Sequence, residues 1–167
     1  MTPPISNITT PMQRAFFAFV AVQDIEKYLT ADDAIRSAAV IAASPCPIYA
    51  MIEDGLPIAI AVCSLNLPGF ARRLRFMWVD PGARCLPITL KLGRHVAASA
   101  PVVSVAVRSD REKRLCRMAG FNHWRRARGG WSGCTVANGF RQQFALPEMT
   151  KGVLADGMRA LGVAGIR

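Results

Sequence analysis

The sequence predicts an α/β chain built on a mixed sheet with a central crossover. Three observations carry that expectation. PIYAMIEDG alternates, Glu53-Asp54-Gly55 makes a turn, and LPIAIAVCSL returns as a strand, which together read as a hairpin. RLRFMWVDPGARCLPITLKL passes from an apolar, strand-like run through a tight turn into helical spacing. APVVSVAV is short and apolar but for Ser104, as a strand buried on both faces would be.

Taken in order, residues 1–13, with Pro3, Pro4 and Pro11, read as an extended N-terminal arm. AFFAFVAV, Ala15 to Val22, has the aromatic and β-branched content of a strand, with a buried helix as the alternative. DIEKYLTADDAIRSAAVIAA has helical spacing. Thr30 followed by Asp33 resembles an N-cap with an acidic third position, so two short helices are expected before SPCP stops the run.

After the hairpin, LPGF makes a turn, and ARRLRFMWV is a third strand with Leu74, Phe76 and Trp78 on one face. A helix follows VDPGARCLPIT and runs to about Ala98. Asp110 to Met118 is a short basic helix closed by Ala119-Gly120. NHWRRARGGW and CTVANGFRQQFAL read as a final pair of strands. KGVLADGMRALGVAGIR is weakly amphipathic, with Val153, Leu154, Met158 and Leu161 near one face. The chain thus divides into an arm (1–13), one α/β domain (14–148) and a helical tail (149–167).

Composition bounds the function. The 167 residues are 51% hydrophobic, enough for a substantial core and too apolar for a disordered chain. The longest apolar run, PIAIAVCSLNLPGF, falls short of the ~20 residues of a membrane span. The N-terminal stretch lacks the pattern of a secretory signal, so a cytoplasmic setting is the plain expectation. Cys46, Cys63, Cys85, Cys116 and Cys134 are scattered, and His95 and His123 are the only histidines. No spacing suits a structural metal, and reduced cysteines are expected.

The formal net charge is +10, and its excess is concentrated. Arg108, Arg111, Lys113, Arg114, Arg117, Arg125, Arg126 and Arg128 face only Asp110 and Glu112 in the same stretch. Such a surplus points to an anionic neighbour (nucleic acid, an acidic protein surface or a phosphorylated cofactor), with a solvated basic face as the bland alternative. Trp124 and Trp131 flank RRARGG and could stack on bases or belong to the core of a hairpin.

From Pro47 to Phe144 the chain resembles the GNAT superfamily of acyl-CoA-dependent N-acetyltransferases. PIYAMIEDGLPIAIAVCSL is similar to that family's second and third strands. FMWVDPGARCLPITLKL is similar to its fourth strand and pyrophosphate loop, V-x-P-x-x-R-x-x-G-x-G, with Val79, Pro81 and Arg84 at matching spacing and Leu90 and Leu92 continuing the helix. VAVRSDREKRLCRMAGF is similar to its fifth strand and fourth helix, with Gly120 and Phe121 matching. The resemblance implies a mostly antiparallel central sheet flanked by helices. It also implies acetyl-CoA as cofactor, held by Arg84 and the amides of Ile88, Thr89 and Leu90, with its pantetheine arm along the strand at Val79.

The departures fall on the residues that do chemistry. Pro87 and Thr89 stand where the family has glycines, and a proline has no N–H to donate. Cys116 occupies the position of the tyrosine that reprotonates the departing thiolate, and Ser109 that of an asparagine. RRLRFMW carries no acidic residue to act as base, and Asp80 before Pro81 reads as turn chemistry. A general acid or base typically contributes about 10²–10⁴-fold, so losing several leaves a poor catalyst.

The leading expectation is a non-catalytic GNAT-like module without bound cofactor, a subunit in multiple copies of a larger assembly. The basic stretch and the apolar tail would be its contact surfaces. A bacteriophage particle is one such assembly, with connector, tail or packaged DNA as neighbours. The alternatives are an active acetyl-CoA-dependent N-acetyltransferase, in which Cys116 or a water returns the proton, and a nucleic-acid-binding protein.

Overall fold

The computed structural model describes residues 2–23, 31–67, 70–83 and 85–136. The elements are β1 (Ile5–Asn7), α1 (Pro11–Gln23), α2 (Ala31–Ala43), β2 (Ile48–Glu53), β3 (Leu56–Leu67), β4 (Ala71–Val79), α3 (Leu86–Ala97), β5 (Val102–Val107), α4 (Asp110–Met118), β6 (His123–Ala127) and β7 (Gly130–Val136). Seven strands form one sheet in the order β1-β2-β3-β4-β5-β7-β6. Only β4 and β5 run parallel, because α3 crosses over between them; every other pair is antiparallel.

The hairpin expected at Glu53-Asp54-Gly55 is present. Asp54 (φ 51°) and Gly55 (φ 79°) both adopt the left-handed conformation of a type I′ turn, which matches strand twist and suits an Asp-Gly pair. The N-terminal stretch contributes β1, which pairs with β2 along Ile5↔Met51, and Pro11 opens α1.

AFFAFVAV is helical, correcting its reading as a strand. Phe17, Ala18, Ala21 and Val22 are buried at helical spacing, whereas Phe16 and Phe19 are exposed. Pro11 suits a first helical turn, where its missing N–H costs nothing, and the Arg14 amide bonds the Thr10 carbonyl at 2.9 Å. Of the two helices expected next, α2 is observed; residues 24–30, including the Thr30 cap, lie outside the described residues, as does the tail.

The third strand also differs from expectation. The register with β3 runs Val62↔Phe76 and then Cys63↔Leu74, so Arg75 is the extra residue of a β-bulge. The bulge turns Leu74 to the face under α3 while Phe76 and Trp78 stay on the face under α1 and α2. Alternation alone would have kept all three together. The final strands form a hairpin whose turn falls at Arg128-Gly129, earlier than expected, so RRARGGW straddles the turn.

Two cores result. Phe17, Ala21, Val22, Ile41, Ile48, Ile60, Val62 and Trp78 fill the side of α1 and α2. Met51, Cys63, Leu74, Leu92, Val96, Val103, Val105 and Phe121 fill the side of α3 and α4. Arg14 ties the first together. Its Nε donates to the Ala42 carbonyl (3.2 Å), Nη1 to that of Ile8 (3.2 Å), and Nη2 to those of Ile41 (3.2 Å), Ser44 (2.6 Å) and Cys46 (2.8 Å). One guanidinium thereby satisfies the last carbonyls of α2 and favours the negative end of that helix.

Candidate functional site

The β4–β5 ladder covers Ala71↔Val102 to Leu74↔Val105 and stops there. Both strands continue, held from their outer sides: β4 by β3 through Val79↔Ala59, and β5 by β7 through Val107↔Trp131. A wedge therefore opens between Phe76–Trp78 and Ala106, at the carboxyl ends of two parallel strands. This is where ligands enter open α/β sheets. The bulge at Arg75 sits where the ladder ends and helps turn β4 away from β5. Sequence alternation could not reveal it, since a bulge has no fixed residue signature.

The loop from β4 to α3 is closed on itself. The Asp80 amide bonds the Ile58 carbonyl at 2.9 Å, and its carboxylate Oδ1 accepts from the amides of Gly82 (2.7 Å) and Ala83 (3.2 Å). Ala83 N–H also reaches the Asp80 carbonyl at 3.0 Å. Asp80 thus has the turn role its sequence context implied. Arg84 lies outside the described residues.

Helix α3 starts after Cys85, which is extended (φ −132°, ψ 151°) and provides no side-chain cap. The Thr89 amide (3.3 Å) and its hydroxyl (3.2 Å) both donate to the Cys85 carbonyl. Four N–H groups are normally left over at a helix start, and Pro87 has none, so Cys85, Leu86 and Ile88 supply those remaining. The first turn carries no acidic residue. The side chains of Val79, Ile88 and Leu90 pack on the core beneath α3.

Across the wedge, α4 is held by a reciprocal capping box. Ser109 Oγ accepts from the Glu112 amide (3.2 Å), and Glu112 Oε2 accepts from the amides of Ser109 (3.0 Å) and Arg108 (2.8 Å). Cys116, one turn on, is partly buried against the core. Burial, aided by the Glu112 carboxylate, pushes its thiol up to about 11. It keeps its proton at neutral pH and is a weak donor. Among the described side chains, carboxylates occur at Glu53 and Asp54 in the hairpin, at Asp80, and at Asp110 and Glu112 on α4; none projects from β4.

The basic residues fall on the outer end of the sheet. Arg111, Arg114 and Arg117 are exposed on α4, Arg126 is exposed on the edge strand β6, and Arg128 is in the turn after it. Lys113 is turned inward, with Nζ 3.0 Å from the centroid of Trp131, and Arg126 lies 4.9 Å from that same ring. Trp124 packs on the core and donates from Nε1 to the Phe121 carbonyl at 2.6 Å. Both tryptophans therefore belong to the hairpin and its packing. Strand alternation puts Arg125, which is partly buried, on the face opposite Arg126.

Sequence reasoning missed a polar group under α3. Arg72 Nη1 donates to the buried Tyr49 hydroxyl, and the Tyr49 ring meets His95 edge-on at 4.8 Å. Burial, then the Arg72 charge, hold the His95 imidazole below its ordinary value. An arginine and a tyrosine at inward strand positions were the available signal.

Among the described residues, no group of three or more His, Cys, Asp or Glu side chains could hold a metal ion, and no helix is long and apolar enough to cross a membrane. No protein-family model matches the chain, and no curated protein matches it in sequence. Its architecture, however, is shared with acetyltransferases. An aminoglycoside acetyltransferase AAC(6')-Ib in complex with coenzyme A and kanamycin superposes with a TM-score of 0.57 at 13% identity, over 86% of this chain and 100% of that one. Aminoglycoside 6'-acetyltransferase type Ii gives 0.61 at 12% identity, over 80% and 96%. Tetrahymena GCN5 gives 0.58 at 9% identity, over 80% and 95%. In this chain that architecture is a mixed, mostly antiparallel sheet whose two parallel strands cease to pair beyond Leu74 and Val105, with α3 and α4 beside that point. The chain has the GNAT fold.

Proposed function

We propose that this chain is a GNAT-fold binding module, a non-catalytic subunit of a larger assembly. The observation that carries the reading is the β4–α3 junction. Two of its amides are already bonded to the Asp80 carboxylate, Pro87 withholds a third, and the Thr89 amide is in the helix's own ladder, which leaves those of Cys85, Leu86 and Ile88. A pyrophosphate placed there would meet few free donors and a resident negative charge. Such a junction fits the diphosphate of coenzyme A poorly. The described residues of β4 offer no base, and the Cys116 thiol is a reluctant acid.

A binding role is supported by apolar surface. Met12 (82% exposed), Phe16 (46%) and Phe19 (43%) form a stripe along α1. The hollow beside it, of about 400 Å³, is lined by Met12, Gln13, Phe16, Phe17, Ile52 and Gly55.

The second reading, an active N-acetyltransferase using acetyl-CoA, is favoured by one observation: β4 and β5 stop pairing past Leu74 and Val105 while both strands continue. Thermal denaturation with millimolar acetyl-CoA separates the two. A ligand at 100 times its Kd adds about 2.7 kcal/mol to stability and raises the melting temperature by several degrees. The proposed module shows no such rise and releases no free thiol with amine acceptors. A rise accompanied by thiol release would establish the enzyme in its place.

A further inference from the structure

We propose that the outer face of α4 and the β6–β7 hairpin bind the phosphodiester backbone of nucleic acid without reading its sequence. Arg111, Arg114 and Arg117 recur every three residues, a rise of about 4.5 Å per step, and all three are exposed. Arg126 and Arg128 extend this row onto the sheet edge and its turn. Among the described residues, none of these five forms an ion pair with a carboxylate. The Glu112 carboxylate is turned back onto the amides of Arg108 and Ser109.

The cations also converge. Lys113 on α4 and Arg126 on β6 meet at the Trp131 ring. Partial burial, then the charges of Arg117 and Arg126, lower the Lys113 ammonium from its ordinary value, against the opposing pull of Asp110. Like charges gathered this closely repel, and an anionic partner relieves the repulsion.

Three features select the partner. The row is extended, so it suits a polyanion rather than one small anion. Its outward members are all arginines, whose planar forks match phosphate oxygens. The stretch's single lysine, Lys113, is instead spent on Trp131. Lys113 sits over the Trp131 ring and Trp124 is partly buried against the core, so neither ring is offered as an open stacking platform for bases. Binding through phosphates alone is therefore indifferent to sequence.

The test is fluorescence anisotropy with labelled 20-base-pair DNA and RNA duplexes and a single strand, each in two unrelated sequences, from 50 to 200 mM NaCl. About five phosphate contacts give a slope of log K on log salt near −4.5 for duplex DNA, roughly a 500-fold loss over that range. The variant R111A/R114A/R117A should weaken binding to every sequence and flatten the slope by about 1 per arginine removed. R111K/R114K/R117K should retain most of the slope. Unchanged circular dichroism melting will show that both variants are folded, since all three side chains are exposed.

Absent binding at 50 mM salt, or binding untouched by the alanine variant, overturns the proposal. So does equal competition by poly-glutamate at matched charge, which would indicate an acidic protein surface. Displacement of DNA by saturating coenzyme A would place the anion in the wedge and also reject it. Apart from that displacement, these outcomes are independent of the acetyl-CoA result above.

Discussion

At the scale of single residues, Arg14 does the most for the fold. Its guanidinium reaches carbonyls from four segments: the end of β1, the last turn of α2, the residues after it and the approach to β2. Arg14→Ala should lower unfolding free energy by about 2–4 kcal/mol, because several partly buried carbonyls lose a charged donor. Arg14→Lys should recover less than half of this, since an ammonium cannot span the same fork. Urea denaturation midpoints measure both, and a lysine variant as stable as the parent would refute the clamp. The sequence gives Arg14 no distinction, for its partners are backbone atoms about thirty residues away, and backbone acceptors leave no mark in composition.

At the scale of elements, legibility tracked how local each cause was. The Asp54-Gly55 hairpin, the α4 boundaries and the turn at Asp80 depend on residues within four positions of one another, and all were readable. The Arg75 bulge depends on what β3 presents opposite, and α1 depends on which tertiary surface its apolar residues meet. For that reason the bulge was not anticipated, and the helix was only the alternative reading of Ala15 to Val22. The capping box gives a second, local test. Ser109→Ala should cost about 1 kcal/mol, whereas Ser109→Asn should be close to neutral, since asparagine caps as well as serine. Chemical denaturation of the two variants decides it. A loss with asparagine equal to that with alanine would mean that the serine acts otherwise than as a cap.

At the scale of the whole molecule, the resemblance over Pro47 to Phe144 anticipated the architecture, because spacing between segments survives where residue identity does not. The state of the cleft was less legible: donors taken up by the Asp80 carboxylate and the Cys85 carbonyl are a matter of geometry, not of residue type. Burial of cysteines adds a global expectation. The Cys63 thiol is raised to about 12 and that of Cys116 to about 11, from 9.0, in both cases chiefly by burial. Above pH 9 the unfolded chain loses these protons while the folded chain retains them. The unfolded state then binds fewer protons, so stability falls as pH rises. Urea midpoints should decline progressively between about pH 9 and 11, and Cys63→Ala should flatten the decline even if it starts from lower stability. A Cys63→Ala profile as steep as the parent's would remove burial of that thiol as the cause.

The four-pair ladder between β4 and β5 has a mechanical consequence. It is the seam between two leaves, each contiguous in the chain: residues through Val79 supply β1 to β4 with α1 and α2, and residues from Val102 supply β5 to β7 with α4. Within each leaf every strand has an antiparallel neighbour of its own. Among the strand ladders only the short parallel seam joins them, with the α3 crossover and the core beneath it packed across both. A pulling force applied across the sheet will therefore yield first at Ala71–Leu74, like a book opening at its spine, before any page is torn.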